Sequence, residues 1–112
     1  MGDNDILSAY VAKGVKAELL VLLSDVNGLY RGDPKLGKSE MVHLVKMVTP
    51  ELERAALRSS RTFGGMFTKV QAAAMAAEAG IATVIANSAK PDILARILRG
   101  EEEGTLFLPR RS

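Results

Sequence analysis

Three clusters along this 112-residue chain combine side chains and backbone able to handle an anionic substrate. Gly2-Asp3-Asn4-Asp5 sets two carboxylates and an amide at what reads as the start of a helix. Such residues serve either as helix caps or as ligands for polar groups, and capping is their commoner use. Leu7 and Ser8 stand where a calcium loop needs a further oxygen ligand and a glycine. Ser24-Asp25, followed by the Asn27-Gly28 turn, delivers a hydroxyl and a carboxylate at the end of an aliphatic run. These residues read equally as a strand leaving the core or as groups presented to a ligand. Phe63-Gly64-Gly65-Met66-Phe67-Thr68-Lys69 places two glycines before a helix. Glycines allow close backbone approach, and a helix start offers unpaired amides and the positive end of the dipole. Thr68 adds a hydroxyl and Lys69 a cation. That arrangement suits a phosphate, although a lysine on a helix is usually a solvated one. The spacing is not that of a P-loop, which puts four residues between its glycines before Gly-Lys-Ser/Thr.

The elements that must position these groups follow from periodicity. Asn4 or Asp5 caps a helix that turns Ile6, Leu7, Tyr10 and Val11 inward. Residues 18–25 read as a strand buried on both faces, because Leu19 to Leu23 are aliphatic without interruption. A polar loop over residues 31–40 leads to a short strand containing Val42, Leu44 and Val45. Thr49-Pro50-Glu51-Leu52-Glu53 has the signature of a helix start: a threonine cap, proline in the first turn and acids near the positive end. A loop from Ser59 to Gly65 follows. The Ala-rich stretch 66–79 then forms a helix with Val70, Ala73, Ala74 and Ala77 on one face, stopped by Gly80. Ile81 to Ala86 forms a second buried strand. Pro91 opens a helix ending before Gly100, and residues 104–109 form a last strand. Alternating helices and aliphatic strands predict an α/β fold of layered type with right-handed crossovers.

Composition removes several functions. Fifteen basic and 13 acidic residues leave a net charge of +2, too small an excess to argue for nucleic-acid binding. There is no cysteine, so disulfides, thiolate metal sites and cysteine nucleophiles are excluded, and the single His43 cannot build a histidine metal site alone. No run approaches the roughly 20 apolar residues of a membrane helix. The acidic start, Met1-Gly2-Asp3-Asn4, is unlike a signal peptide. A single cytoplasmic domain over residues 1–112 is the expectation.

The clusters, taken together and in order, resemble the glutamate 5-kinase family, within the amino acid kinases. Gly2-Asp3-Asn4-Asp5 with Leu7-Ser8-Ala9 is similar to Phe-Gly-Asp-Asn-Asp-x-Leu-Ser-Ala. Leu22-Leu23-Ser24-Asp25-Val26-Asn27-Gly28-Leu29-Tyr30 is similar to Leu-Leu-Thr-Asp-Val-Asp-Gly-Leu-Tyr, and Asp33-Pro34 matches the pair that follows. Gly64-Gly65-Met66 with Thr68-Lys69 matches Gly-Gly-Met-x-Thr-Lys, and Gly104-Thr105-Leu106-Phe107 matches the closing Gly-Thr-Leu-Phe.

The resemblance implies a three-layer αβα sandwich with a mainly parallel sheet, present as a partial domain. It implies ATP with Mg2+ as phosphoryl donor and glutamate as acceptor, with no metal held directly by the protein. By position, Asp3 and Asn4 bind glutamate, and Asp5 organises the lysines around the transferring group. Ser24 and Asp25 contact the nucleotide, Ser24 replacing the usual threonine. Residues Phe63, Gly64, Gly65, Met66, Phe67, Thr68 and Lys69 wrap the ATP, and Lys69 is the phosphoryl-transfer lysine. The product is glutamyl 5-phosphate, the first intermediate towards proline. Bulky Phe63 departs from the family's small residue and would narrow the phosphate cradle. The family's N-terminal half, with a further lysine and much of the glutamate pocket, is not matched in this chain. A homo-oligomer, or pairing with that half, is therefore expected. Two other readings stay open: a catalytically silent nucleotide-binding or interaction module, and a kinase for another carboxylate.

Overall fold

A computed structural model of the chain describes residues 19–31, 40–59 and 65–110. The expected first helix, and most of the polar loops over residues 31–40 and 59–65, lie outside the described residues. In chain order the elements are β1 (Leu19–Ser24), β2 (Tyr30–Arg31), β3 (Glu40–Met41), β4 (Leu44–Val45), α1 (Pro50–Ser59), α2 (Met66–Glu78), β5 (Ala82–Asn87), α3 (Ile93–Leu98) and β6 (Thr105–Phe107). Four strands form one sheet in the order β1-β5-β6-β4, and β2 pairs with β3 in a separate hairpin. β1 runs parallel to β5 and β4 parallel to β6, while β5 and β6 are antiparallel. The sheet is therefore mixed, with parallel pairing predominating.

Side-chain alternation along the strands sorts the core into two faces. Leu20 and Leu22 of β1, Ile85 of β5 and Phe107 of β6 pack with Val70, Ala72 and Ala73 of α2 and Leu52 and Ala56 of α1. On the opposite face Leu19, Val21, Val84, Ala86 and Leu106 pack against Ile93 and Ile97 of α3. Helices thus cover both faces of the sheet, as the αβα reading requires. Fully burying a side chain such as Ile85 or Phe107 contributes about 1.5–3 kcal/mol.

The helix ends follow local rules. Leu52 N–H donates to Thr49 Oγ1 at 3.2 Å, so Thr49 caps α1, with Pro50 first in the helix and Glu51 and Glu53 in its first turn. α2 closes in a Schellman turn: Ile81 N–H donates to the Ala76 carbonyl and Gly80 N–H to that of Ala77, with Gly80 at φ +79°. α3 closes likewise, through Glu101 on Arg96 and Gly100 on Ile97.

Five expectations are corrected. β1 is not buried on both faces along its length, because Leu23 is 41% exposed. Ile81 precedes β5, since its amide and side chain complete the helix stop against Ala76. The buried face of α2 carries Met66, Val70, Ala72, Ala73 and Ala76, whereas Ala74 and Ala77 are half-buried. Val42 falls between β3 and β4, where it serves the hairpin, and α3 starts at Ile93, with Asp92 at its cap rather than Pro91.

Candidate functional site

β1 and β5 finish side by side, with Ser24 in register with Asn87. Ligands of open α/β sheets gather beyond such carboxyl ends. The two exits are tied together. The Ser24 carbonyl accepts from Ser88 N–H at 2.8 Å and from the Ser88 hydroxyl at 3.2 Å. Asn87 Nδ2 donates to Asn27 Oδ1 at 3.1 Å, and Asn87 Oδ1 accepts from Ala89 N–H at 2.8 Å. Ser24 Oγ accepts from Val26 N–H at 3.4 Å and lies 3.5 Å from an Asp25 carboxylate oxygen, with Asp25 exposed. The hydroxyl and carboxylate singled out in the sequence therefore stand at the carboxyl ends of the parallel strands.

The N-terminus of α2 comes to the same edge. α2 turns directly into β5 through Gly80, so its C-terminus lies at the start of that strand. Thirteen helical residues span about 20 Å, and the six of β5 also about 20 Å. The helix thus begins level with the end of β5. Gly65 occupies the cap position and supplies no capping side chain, and the first turn contains no acid. Thr68 donates its hydroxyl to the Gly65 carbonyl at 2.9 Å, which fixes the turn while its lone pairs stay able to accept. Lys69 follows, half-buried, in the first turn. Met66 is buried in the core, so its contribution to a ligand is limited to its backbone, and Phe67 packs half-buried against the same core. The end of this helix is electropositive and suited to an anion.

A second set of contacts fixes the far side of the Asn27-Gly28 turn. In the β2–β3 register, Leu29 and Val42 are opposite neighbours. Val42 N–H donates directly to the Leu29 carbonyl at 2.8 Å. The return bond is bridged instead: Leu29 N–H donates to Thr105 Oγ1 at 2.9 Å, and that hydroxyl donates to the Val42 carbonyl at 2.5 Å. Gly28 lies against this hydroxyl, where a Cβ would come within 2.6 Å of Thr105 Oγ1. Gly104 has φ +68° and passes so close to β5 that a Cβ would meet the Ile85 carbonyl oxygen at 2.0 Å. The Gly-Leu-Tyr and Gly-Thr-Leu-Phe stretches, far apart in sequence, are thus one joint.

The sequence motifs did not single out Asn87, Ser88 or Lys90. Lys90 Nζ reaches the Glu103 carboxylate at 3.2 Å, and Arg96 stands 4.0 Å from its other oxygen. The one signal available was position: a polar Asn-Ser pair directly after a buried aliphatic strand. Asp3, Asn4, Asp5, Phe63 and Gly64 lie outside the described residues. Among the described residues, no three His, Cys, Asp or Glu side chains gather into a metal-binding group, and no helix is long and apolar enough to cross a membrane.

Known proteins are similar to this chain in sequence and in fold. The chain is 46% identical over 98% of its length to a glutamate 5-kinase from Geobacter metallireducens, covering 30% of that protein. It is 46% identical over 97% of its length to one from Clostridium acetobutylicum, covering 42%. The chain therefore spans well under half the length of these curated relatives. Among solved structures, an isopentenyl phosphate kinase superposes with TM-score 0.66 at 26% identity, over 92% of this chain and 36% of the other. Carbamate kinase from Giardia lamblia bound to AMP-PNP superposes with TM-score 0.68 at 23% identity, over 93% and 31%. That second likeness speaks for the fold alone. Residues 1–87, which run through β1, α2 and the whole of β5, match the model of the amino acid kinase family, and the chain belongs to that family.

Proposed function

We propose that this chain is the nucleotide-binding portion of a glutamate 5-kinase, which moves the terminal phosphoryl group of ATP onto the side-chain carboxylate of glutamate. The supporting observation is the meeting of Ser24, Asp25 and the uncapped start of α2 at one sheet edge. It occurs in a chain 46% identical to relatives of that name.

The chemistry asks little more of the protein than placement and charge. A glutamate side chain, with pKa about 4.3, is already ionised at neutral pH and needs no general base. One of its oxygens attacks the γ-phosphorus, the bond to the bridging oxygen breaks, and the electron pair leaves on ADP. No proton is transferred, and the product is the acyl phosphate glutamyl 5-phosphate. Two anions must be aligned and the charge on the phosphoryl oxygens offset. The first-turn amides of α2 and Lys69 supply that positive field in this reading. Ser24 and Asp25 hold the nucleotide, Asp5 orders the cations, and Asp3 and Asn4 take the amino acid. Magnesium is part of the substrate, carried on the phosphate oxygens. The reaction would open the route to proline in the cytoplasm. Among the described residues β1 and β4 are the outer strands, and with exposed Leu23 and Leu44 they would seek cover from a second chain or a further segment.

The test uses the purified chain with MgATP, glutamate and hydroxylamine, which traps acyl phosphates as hydroxamates. Glutamate-dependent ADP release with equal hydroxamate supports the proposal. Turnover with another carboxylate but not glutamate would move the acceptor assignment. ATP binding without any transfer would favour the silent nucleotide-binding module, the reading that bulky Phe63 in place of the family's small residue favours.

A further inference from the structure

The parallel ladder of β1 and β5 ends at Ser24 and Asn87, and the two chains then diverge. One enters the Asn27-Gly28 turn, the other runs to Lys90-Pro91. Beyond the ladder one backbone bond, from Ser88 N–H to the Ser24 carbonyl at 2.8 Å, still joins the exits, and side chains must hold the rest. We propose that Asn87 is a positioning residue of the nucleotide edge: its amide latches the β5 exit to Asn27 and so fixes how Ser24 and Asp25 face a nucleotide. The inference rests on the nucleotide reading above and adds a residue to that site.

Asn87 uses both ends of its amide. Oδ1 accepts from Ala89 N–H at 2.8 Å, which folds its own exit, while Nδ2 donates to Asn27 Oδ1 at 3.1 Å, which fastens the neighbouring one. Few side chains can accept and donate at once across such a gap. Ser88 adds its amide and hydroxyl, both on the Ser24 carbonyl. On the other flank, Leu29 N–H is held by Thr105. Ser24 to Leu29 is thus pinned at both ends by groups that a core substitution would disturb, and at its tip by the Asn27–Asn87 pair. That tip is half-exposed, so it can be altered without opening the core.

The pair also makes a sharp test possible. An amide can turn over, so either asparagine can be donor to the other. Asn27→Asp leaves Asn87 as donor, and Asn87→Asp leaves Asn27 as donor while keeping an acceptor for Ala89 N–H. With both replaced, no donor remains and two carboxylates face one another. The full chain and its N27D, N87D and N27D/N87D variants are compared by calorimetric titration with MgATP and by amide hydrogen exchange without nucleotide. Each single variant should bind about two- to threefold more weakly, partly from added negative charge, which enters both sides of the cycle. The double variant should bind at least about tenfold more weakly than the product of the singles predicts, since contacting residues couple. Exchange over residues 25–29 should accelerate in the double variant alone, with α2 unchanged. Losses that merely multiply, or exchange over 25–29 that stays at the wild-type rate in the double variant, would overturn the latch. A wild-type chain that binds no MgATP would overturn the nucleotide reading instead, and the exchange measurement would still decide whether the latch exists.

Discussion

Thr83 and Thr105 are both fully buried, yet replacing each by valine should move stability in opposite directions. The Thr105 hydroxyl bridges Leu29 N–H and the Val42 carbonyl, at 2.9 and 2.5 Å. Valine puts a methyl group there and leaves both backbone groups buried without partners. Each such orphan costs about 1–3 kcal/mol, so T105V should lose about 2–6 kcal/mol. That is a large part of the 5–15 kcal/mol typical of a whole domain. Thr83 lies on β5, and among the described residues its hydroxyl has no hydrogen-bond partner. Its desolvation is therefore uncompensated, and T83V exchanges it for a methyl of similar size, a gain of about 1–2 kcal/mol. Urea unfolding followed by far-UV circular dichroism gives both numbers from the midpoints, provided the slopes match. Shifts of the same sign in the two variants would refute the reasoning, because the chemical change is identical and only the partners differ.

Gly104→Ala should be among the most damaging single-methyl changes, costing more than about 3 kcal/mol, because its Cβ would meet the Ile85 carbonyl oxygen at 2.0 Å and φ is +68°; a melt within a degree or two of wild type would contradict this. Asp92 caps α3 with φ 56°, a conformation that favours glycine, and makes no side-chain cap bond. Asp92→Gly should therefore raise stability by about 0.5 kcal/mol, read as a higher urea midpoint, and a lower midpoint would show that the carboxylate helps the helix. Lys69→Met removes the cation of the first turn of α2 and should weaken MgATP binding about tenfold; unchanged affinity would remove Lys69 from the phosphate site.

The fold was legible wherever a local signal carried it. The Thr49-Pro50 start of α1 and the glycine stops of α2 and α3 depend on neighbours within a turn, and they stand as the sequence predicts. Ile81 misleads because an aliphatic residue completing a Schellman turn looks the same as the first residue of a strand. Leu23 misleads for another reason: an unbroken aliphatic run signals burial, but how much of each face is covered depends on what packs there. The position of Ser24 and Asp25 at a strand end, and of Gly65 before α2, was readable because residue type and element end coincide. Asn87 was not. A polar residue ending a strand is ordinary turn chemistry, and its partner lies 60 residues away. The Gly-Thr-Leu-Phe stretch served as a family mark, and its physical cause, the bridge from Thr105 into the hairpin and the close approach of Gly104, emerged only from the pairing.

Under the proposed function the shared edge of β1, β5 and α2 receives the nucleotide. Titrating MgATP into the isotopically labelled chain and mapping backbone amide shifts tests it directly. Changes concentrated at Ser24 to Asn27, at Asn87 to Ala89 and at Gly65 to Lys69 are the predicted result. Saturable binding whose shifts fall at the opposite ends of the strands, around Leu19 and Ala82, or no binding at millimolar MgATP, would contradict it.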